Sequence, residues 1–270
     1  MRIAWLHGYG MDSRVWRELW SALDAHEHVG IDLPLHGSAS SVAMPGSLPE
    51  VADYVAARIR AEGAEALVGM SFGSAVAIQV CLDHPGLATS LVLAAPTLAG
   101  QPDEPAARAR YLLLMRAYRD GLPRPALVQL WMGDPPAIFT GLRQHPDRYA
   151  AMAAVLAEHR FTELGDGSMR GLGRTVHTPA DLRRLAARTL VVSGAEDLAT
   201  FRENAGLLRR TVPDCALVTL RGLGHLPLVE SPERCAPHLL RFLDGGRVLA
   251  GAQPSRVTDP HVARIARAAG

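Results

Sequence analysis

The sequence contains no lysine, and all of its 28 basic residues are arginines. The chain therefore cannot form a lysine Schiff base, which excludes one route to covalent catalysis. The basic residues are nearly balanced by 27 acidic ones, which leaves a formal net charge of +1. Because neither sign is in excess, the overall charge does not favour nucleic acid or anionic lipid as a partner. We expect the partners to be small, mostly neutral molecules.

Cysteine is scarce, and the three present are Cys81, Cys215 and Cys235. Their number is odd, they form no CxxC pair and none lies at zinc-ligand spacing from a histidine, so we interpret them as buried or incidental thiols and expect no metal site. No apolar run approaches the roughly 18 residues of a membrane span, and the N-terminus lacks signal-peptide features. These absences favour a cytoplasmic protein without membrane association.

Short apolar runs alternate with helix-like patterns over most of the chain, as in βαβ units with a parallel sheet. The predicted strands cover residues 3–6, 28–33, 66–70, 90–94, 189–193 and 216–220. The predicted helices cover residues 15–25, 48–62, 73–84, 199–211 and 232–243. The pattern predicts an α/β fold with a mostly parallel sheet of about six strands flanked by helices.

The alternation is interrupted once, where apolar residues recur at helical spacing without a strong strand pattern. We interpret residues 97–187 as a helical cap inserted into a core formed by residues 1–96 and 188–245. Residues 246–270 are a C-terminal tail, in which 257–268 are predicted either to form a short helix or to fray. Four cap residues are candidates for an apolar substrate pocket or for plain core: Trp131, Phe139, Tyr149 and Met152. Three cap arginines are candidates for binding a substrate carboxylate or for a solvated helix face: Arg108, Arg110 and Arg116.

The segment Gly-Met-Ser-Phe-Gly at residues 69–73 lies between a predicted strand and a predicted helix. A nucleophile on such a turn projects from a strained backbone, and glycines two residues to either side let the neighbouring elements approach closely. The helix N-terminus also favours developing negative charge. Ser71 is therefore the candidate nucleophile.

A serine hydroxyl is a weak nucleophile until a base takes its proton. His225 follows the last predicted strand, and Asp197 follows the one before it, so both belong to the same edge of a parallel sheet as Ser71. The chain order serine, acid, histidine suits a triad in which the carboxylate orients the imidazole. Glu196 and Asp103 are alternative acids. The oxyanion would rest on the backbone N–H groups of Phe72 and Tyr9.

Together these segments resemble the α/β-hydrolase fold family, over residues 1–96 and 188–245. The resemblance is carried by His-Gly-Tyr-Gly at 7–10, Asp-Leu-Pro-Leu-His-Gly at 32–37, the serine turn, Gly-Ala-Glu-Asp at 194–197 and the stretch 222–233. It implies a cap between the sixth and seventh strands of the family's eight-stranded plan. The sequence starts at what would be the third of those strands, so we expect no counterpart of the first two, and Leu35 stands where the family usually has glycine. His7 and His36 are expected to support their loops.

The pattern predicts a cofactor-free serine hydrolase that cleaves a carboxylic ester or thioester of a small apolar substrate. One alternative is that the same triad serves a carbon–carbon hydrolase, a lyase or a cyclase, because fold does not fix chemistry. Another is a ligand-binding receptor with a vestigial triad. The sequence does not determine the substrate or the oligomeric state.

Overall fold

Six parallel strands form a single sheet in a computed structural model that describes residues 1–102 and 104–246. The strands are β1 (Arg2–Leu6), β2 (Glu27–Ile31), β3 (Ala66–Met70), β4 (Ser90–Ala94), β5 (Arg188–Gly194) and β6 (Cys215–Leu220). Their order across the sheet is β2-β1-β3-β4-β5-β6, and every neighbouring pair is parallel. The predicted α/β sheet of about six strands is confirmed. The helix considered for residues 257–268 lies outside the described residues.

Helices follow the strands along the chain. Within the described residues they are α1 (Arg17–Ser21), α2 (Leu48–Glu62), α3 (Phe72–Asp83), α4 (Pro105–Arg119), α5 (Arg124–Trp131), α6 (Pro146–Leu156), α7 (Glu163–Asp166), α8 (Pro179–Leu182), α9 (Ala199–Thr211), α10 (Pro227–Glu230) and α11 (Pro232–Leu243). Short 3₁₀ helices cover Ser13–Trp16, Gly37–Ala39, Gly141–Gln144 and Ser168–Arg174.

The two faces of the sheet carry separate hydrophobic cores, because successive strand side chains point to opposite sides. On β1, Ile3 and Trp5 belong to one core, while Ala4 and Leu6 belong to the other. Helices α2 and α3 cover the second core. The first core is covered by α1 and α11 and continues without a break into side chains of α4, α5 and α6. The sheet and the helices between β4 and β5 therefore share one apolar interior.

Two predicted elements end earlier than expected. The second strand was expected to reach residue 33 but ends at Ile31, because the Asp32 carboxylate and the Leu33 N–H bond to the loop after β1 instead of to a neighbouring strand. The first helix was expected over 15–25 but consists of a 3₁₀ turn and the short α1. Its end tightens because the N–H of Leu23 bonds to the carbonyl of Trp20, three residues back.

The segment between β4 and β5 contains α4 to α8 and two of the 3₁₀ helices, with no strand among its described residues. The boundaries of a cap at residues 97 and 187 stay a prediction. In the part of the chain that the structure describes, no helix has both the length and the apolar character needed to cross a membrane.

Candidate active site

Ser71, His225 and Asp197 meet at the carboxyl edge of the sheet, just beyond β3, β6 and β5. Nε2 of His225 lies 2.9 Å from Oγ of Ser71, and Nδ1 of His225 lies 2.9 Å from Oδ1 of Asp197. A carboxylate only accepts, so we assign the ring proton to Nδ1, which leaves Nε2 to accept from the serine hydroxyl. His225 is 2% exposed and Asp197 5%. The structure thus brings the three predicted residues into one hydrogen-bonded chain.

The backbone of Ser71 is strained, with φ of 53° and ψ of −122°. A non-glycine residue with positive φ costs on the order of 1–3 kcal/mol and persists where its surroundings enforce it. The flanking glycines explain how the turn fits. A Cβ on Gly69 would lie 2.5 Å from the carbonyl oxygen of Gly73, and a Cβ on Gly73 would lie 2.5 Å from the carbonyl oxygens of His7 and Leu6.

Two buried histidines fasten the loop after β1 to the loop after β2. Nε2 of His7 accepts the N–H of Leu33 at 3.0 Å, and Nε2 of His36 accepts the N–H of Gly10 at 3.1 Å. Each ring donates from Nδ1 to a carbonyl, that of Gly8 for His7 and that of Pro34 for His36, both at 2.8 Å. Burial lowers the pKa of both imidazoles, so they stay neutral and can accept.

Leu35 occupies a position that favours glycine. Its φ is +70°, in the left-handed region that L residues with side chains rarely adopt. Leu35 therefore keeps the backbone conformation that glycine would adopt, and its side chain makes that conformation strained. The loop is held by Asp32, whose carboxylate accepts the N–H groups of Ser13 at 2.8 Å and Ser38 at 2.7 Å. These hydrogen bonds lower the pKa of Asp32 against the opposing effect of its burial.

Tyr9 and Phe72, whose N–H groups are the predicted oxyanion donors, line the same cavity as Ser71. Phe72 opens α3, where an N–H has no intrahelical acceptor. Tyr9 lies in the turn that the N–H of Met11 closes by donating to the carbonyl of Gly8. Among the described residues, neither the Tyr9 nor the Phe72 N–H has a hydrogen-bond acceptor. Their function as oxyanion donors stays a prediction.

Glu230 braces the loop that carries His225, a function that sequence reasoning missed. Its carboxylate accepts the N–H of Gly224 at 2.6 Å and that of Leu226 at 2.9 Å, on either side of the histidine. The side chain is 1% exposed, and burial raises its pKa despite these two hydrogen bonds. The available signal in the sequence was an acidic residue directly after the apolar run 226–229.

Ser71 opens into a cavity of about 380 Å³ that reaches from the sheet edge to the segment between β4 and β5. Its wall is largely apolar and includes Met11, Tyr111, Trp131, Ile138, Met169 and Phe201. Arg108 and Glu104 add charged groups on the α4 side. The volume is in the range of small-molecule sites.

Of the four cap residues proposed for a pocket, Trp131 is on the wall of this cavity. Phe139 is buried behind it, with the two ring centroids 5.9 Å apart. Met152 lines a separate cavity of about 360 Å³, and Tyr149 packs against the first core. The structure therefore does not bring Phe139, Tyr149 and Met152 to the cavity at Ser71.

The other candidates are placed as follows. Glu196 accepts the N–H of Gly222 at 3.2 Å and does not contact His225, while Asp103 lies outside the described residues. Arg110 donates to the carbonyl oxygens of Leu130 and Pro135.

The three cysteines are free and buried. Burial raises the pKa of Cys81 and Cys215 to about 12 and raises that of Cys235 as well, which leaves all three as thiols at neutral pH. No cluster of metal-ligating side chains occurs within the described ranges.

The sequence profile of the alpha/beta hydrolase family matches residues 3–238. With most of the chain matched and the six-stranded parallel sheet in place, the protein belongs to the alpha/beta hydrolase family and is a hydrolase, as the sequence predicted.

Individual relatives are distant. A pimeloyl-[acyl-carrier protein] methyl ester esterase of Neisseria meningitidis is 28% identical, over 93% of this chain and 81% of that protein. The polyketide synthase ThaQ of Burkholderia thailandensis is 31% identical over 90% of this chain, which matches 12% of that protein. A thermophilic esterase from Thermogutta terrifontis superimposes with a TM-score of 0.74 at 22% identity, over 90% of this chain and 89% of that one. The last likeness shows the fold alone.

Proposed function

We propose that this protein hydrolyses a carboxylic ester or thioester of a small, largely apolar substrate through an acyl-enzyme on Ser71. The observation that carries the proposal is the hydrogen-bonded chain from Ser71 through His225 to Asp197, with both links at 2.9 Å. Such a chain gives a serine the adjacent base that it needs to act as a nucleophile.

In the first half-reaction, Nε2 of His225 takes the proton of Ser71 as Oγ attacks the carbonyl carbon. The imidazolium that forms is stabilised by the Asp197 carboxylate at Nδ1. When the tetrahedral intermediate collapses, His225 gives its proton to the leaving alcohol or thiol. The product of this step is an ester between the acyl group and Ser71.

The negative charge on the tetrahedral intermediate would rest on the N–H groups of Tyr9 and Phe72. Two fixed donors in a cavity that is largely apolar stabilise this charge more than water does, because they need no reorientation. The N-terminal end of α3 adds a favourable dipole at the same point.

In the second half-reaction, His225 takes a proton from water, and the resulting hydroxide attacks the acyl carbon. Collapse of the second intermediate returns the proton to Ser71 and releases the acid. This chemistry requires neither a metal nor an organic cofactor.

The ester specificity is supported by the Neisseria meningitidis relative, which is named as an esterase of a methyl ester. The largely apolar wall of the cavity favours an apolar acyl or alcohol group. Its volume of about 380 Å³ limits the part of the substrate that enters to a small group.

The test is hydrolysis of p-nitrophenyl and thioester panels by the wild type and by Ser71→Ala. We expect the variant to lose at least ~10³-fold in kcat/KM, since the acyl-enzyme can no longer form. Ser21→Ala, which changes an exposed serine on α1, is the matched control and should keep wild-type activity.

A Ser71→Ala protein as active as the wild type on every cleaved ester would defeat the proposal. Reaction in ¹⁸O-labelled water adds a second criterion. Hydrolysis places one labelled oxygen in the acid product, whereas a lyase or cyclase places none.

A further inference from the structure

Tyr9 joins the turn after β1 to the helical segment between β4 and β5. Its hydroxyl donates a hydrogen bond to Oε1 of Glu163 in α7, a residue 154 positions further along the chain. The same carboxylate oxygen lies 3.0 Å from Nε2 of His159. The residue that would supply one oxyanion donor is thus held, through its side chain, by a different part of the fold.

The carboxylate that holds Tyr9 is fully buried. Glu163 is 0% exposed and His159 5%, and among the described residues Oε2 of Glu163 has no hydrogen-bond partner. A buried carboxylate with one oxygen unpartnered is costly, and an apolar side chain of similar volume would usually stabilise a fold at least as well. The stability of the fold is therefore a weak reason for a carboxylate at this position, and a function in positioning Tyr9 is the alternative.

The ring of Tyr9 is fixed as well as its hydroxyl. Its centroid lies 5.4 Å from that of Trp131 and 5.6 Å from that of Tyr111, both edge-on, in a geometry that aromatic pairs favour. Burial and the nearby Glu163 raise the pKa of Tyr9 well above its usual range. The hydroxyl accordingly remains a proton donor to the carboxylate.

Tyr9 lies between two glycines in the turn after β1, and Gly10 has a φ of +75°. On the sheet side, the carbonyl of Gly8 accepts the N–H of Met11 and the Nδ1–H of His7. The His36 ring fixes the N–H of Gly10 from the sheet side, as described above. From the helical segment, the constraint on the turn comes through the Tyr9 side chain and its bond to Glu163.

We propose that Glu163 is a positioning residue for the reaction. By holding the Tyr9 hydroxyl it keeps the Tyr9 N–H directed at the oxyanion, and it makes oxyanion stabilisation depend on the helical segment being seated on the sheet. This inference rests on the proposed ester hydrolysis at Ser71.

The test compares kcat and KM for p-nitrophenyl butyrate in Tyr9→Phe, Glu163→Ala, the double variant and Glu163→Gln. Tyr9→Phe should lower kcat about tenfold, less than the ~10²–10³ lost when an oxyanion donor is removed outright. KM should change less than threefold, since the cavity wall is retained. The double variant should be no slower than Glu163→Ala, because both substitutions remove the same hydrogen bond between Tyr9 and Glu163. Glu163→Gln keeps an acceptor oxygen for the Tyr9 hydroxyl, so it should retain most of the wild-type kcat that Glu163→Ala loses.

Glu158→Gln is the matched control, since Glu158 lies near Glu163 in sequence but is exposed and pairs with Arg14. It should leave kcat unchanged, as exposed ion pairs contribute little. Thermal unfolding of every variant separates loss of fold from loss of positioning. If Glu163→Ala does not fold, Tyr9→Phe and Glu163→Gln decide the question.

Wild-type kcat in Tyr9→Phe, an effect confined to KM, or additive losses in the double variant would overturn the positioning function. Ser71→Ala is measured in parallel. If Ser71→Ala is inactive while Tyr9→Phe keeps the wild-type kcat, ester hydrolysis stands and the positioning function fails. If Ser71→Ala is fully active, both fail together.

Discussion

The loops at the carboxyl edge of the sheet and the helical segment between β4 and β5 enclose the same cavity but are held in place differently. The loops are fixed by backbone geometry and by hydrogen bonds to N–H groups, as at Ser71, His36 and Glu230. The helical segment is held mainly by apolar contacts with the first core, of which Trp131 is an example. We therefore expect the loops to control the rate of the chemical step and the helical segment, apart from the Glu163 carboxylate that holds Tyr9, to control which substrate binds.

The largest effect should come from His225→Gln, which removes the proposed base. We expect kcat/KM to fall by ~10³-fold or more, as in other enzymes that lose one member of a triad. His84→Gln, which changes a histidine paired with Asp53 away from the cavity, is the control and should be neutral. A His225→Gln enzyme within tenfold of the wild type would show that the loops do not carry the chemistry.

Asp197→Asn should have the next largest effect, with a loss of ~10²–10⁴-fold in kcat because the amide cannot hold the same imidazole tautomer. Glu196→Gln alters the neighbouring acid, whose carboxylate contacts Gly222, and should cost less than threefold. Steady-state kinetics on a single ester compares the two. Equal losses in both variants would contradict the assignment of Asp197.

Glu230→Gln should reduce kcat about tenfold, because an amide can accept only one of the two N–H groups and His225 shifts. Unfolding by urea at several pH values adds a second measurement. Burial raises the pKa of Glu230 in the folded protein, so its contribution to stability is full below the unfolded-state value of about 4.3 and declines as pH rises through the folded value. In Glu230→Gln, which has no titrating group at this position, this part of the decline in the free energy of unfolding should be missing. Parallel stability curves for the two proteins would contradict the explanation.

The smallest effect on rate should come from Trp131→Ala in the helical segment. The wall of the cavity loses its indole, so KM for long acyl esters should rise several-fold, in keeping with the roughly 1–3 kcal/mol that hydrophobic groups contribute to selectivity. Leu112→Ala, at an exposed position of α4, is the control. If Trp131→Ala changes kcat and leaves KM unchanged, the wall that the helical segment contributes does not control substrate binding.

The sheet, and the placement of Ser71, Asp197 and His225 at one of its edges, could be predicted from the sequence because both follow from local patterns. Strands and helices have distinct periods, and side chains that follow parallel strands must meet at one edge. The helical segment was less predictable. Phe139 and Trp131 have equivalent apolar character, and only the packing of helices from distant parts of the chain decides that one lies behind the other. Glu163 was missed for the same reason, and for Glu230 the only local signal was its place directly after an apolar run.

Reaction with a fluorophosphonate probe, followed by intact mass and peptide mapping, tests the activated serine most directly. The expected result is one adduct per chain, located on Ser71, and none in Ser71→Ala or in heat-denatured protein. Folded wild-type protein that stays unlabelled, or that carries the adduct on another residue, would contradict the account.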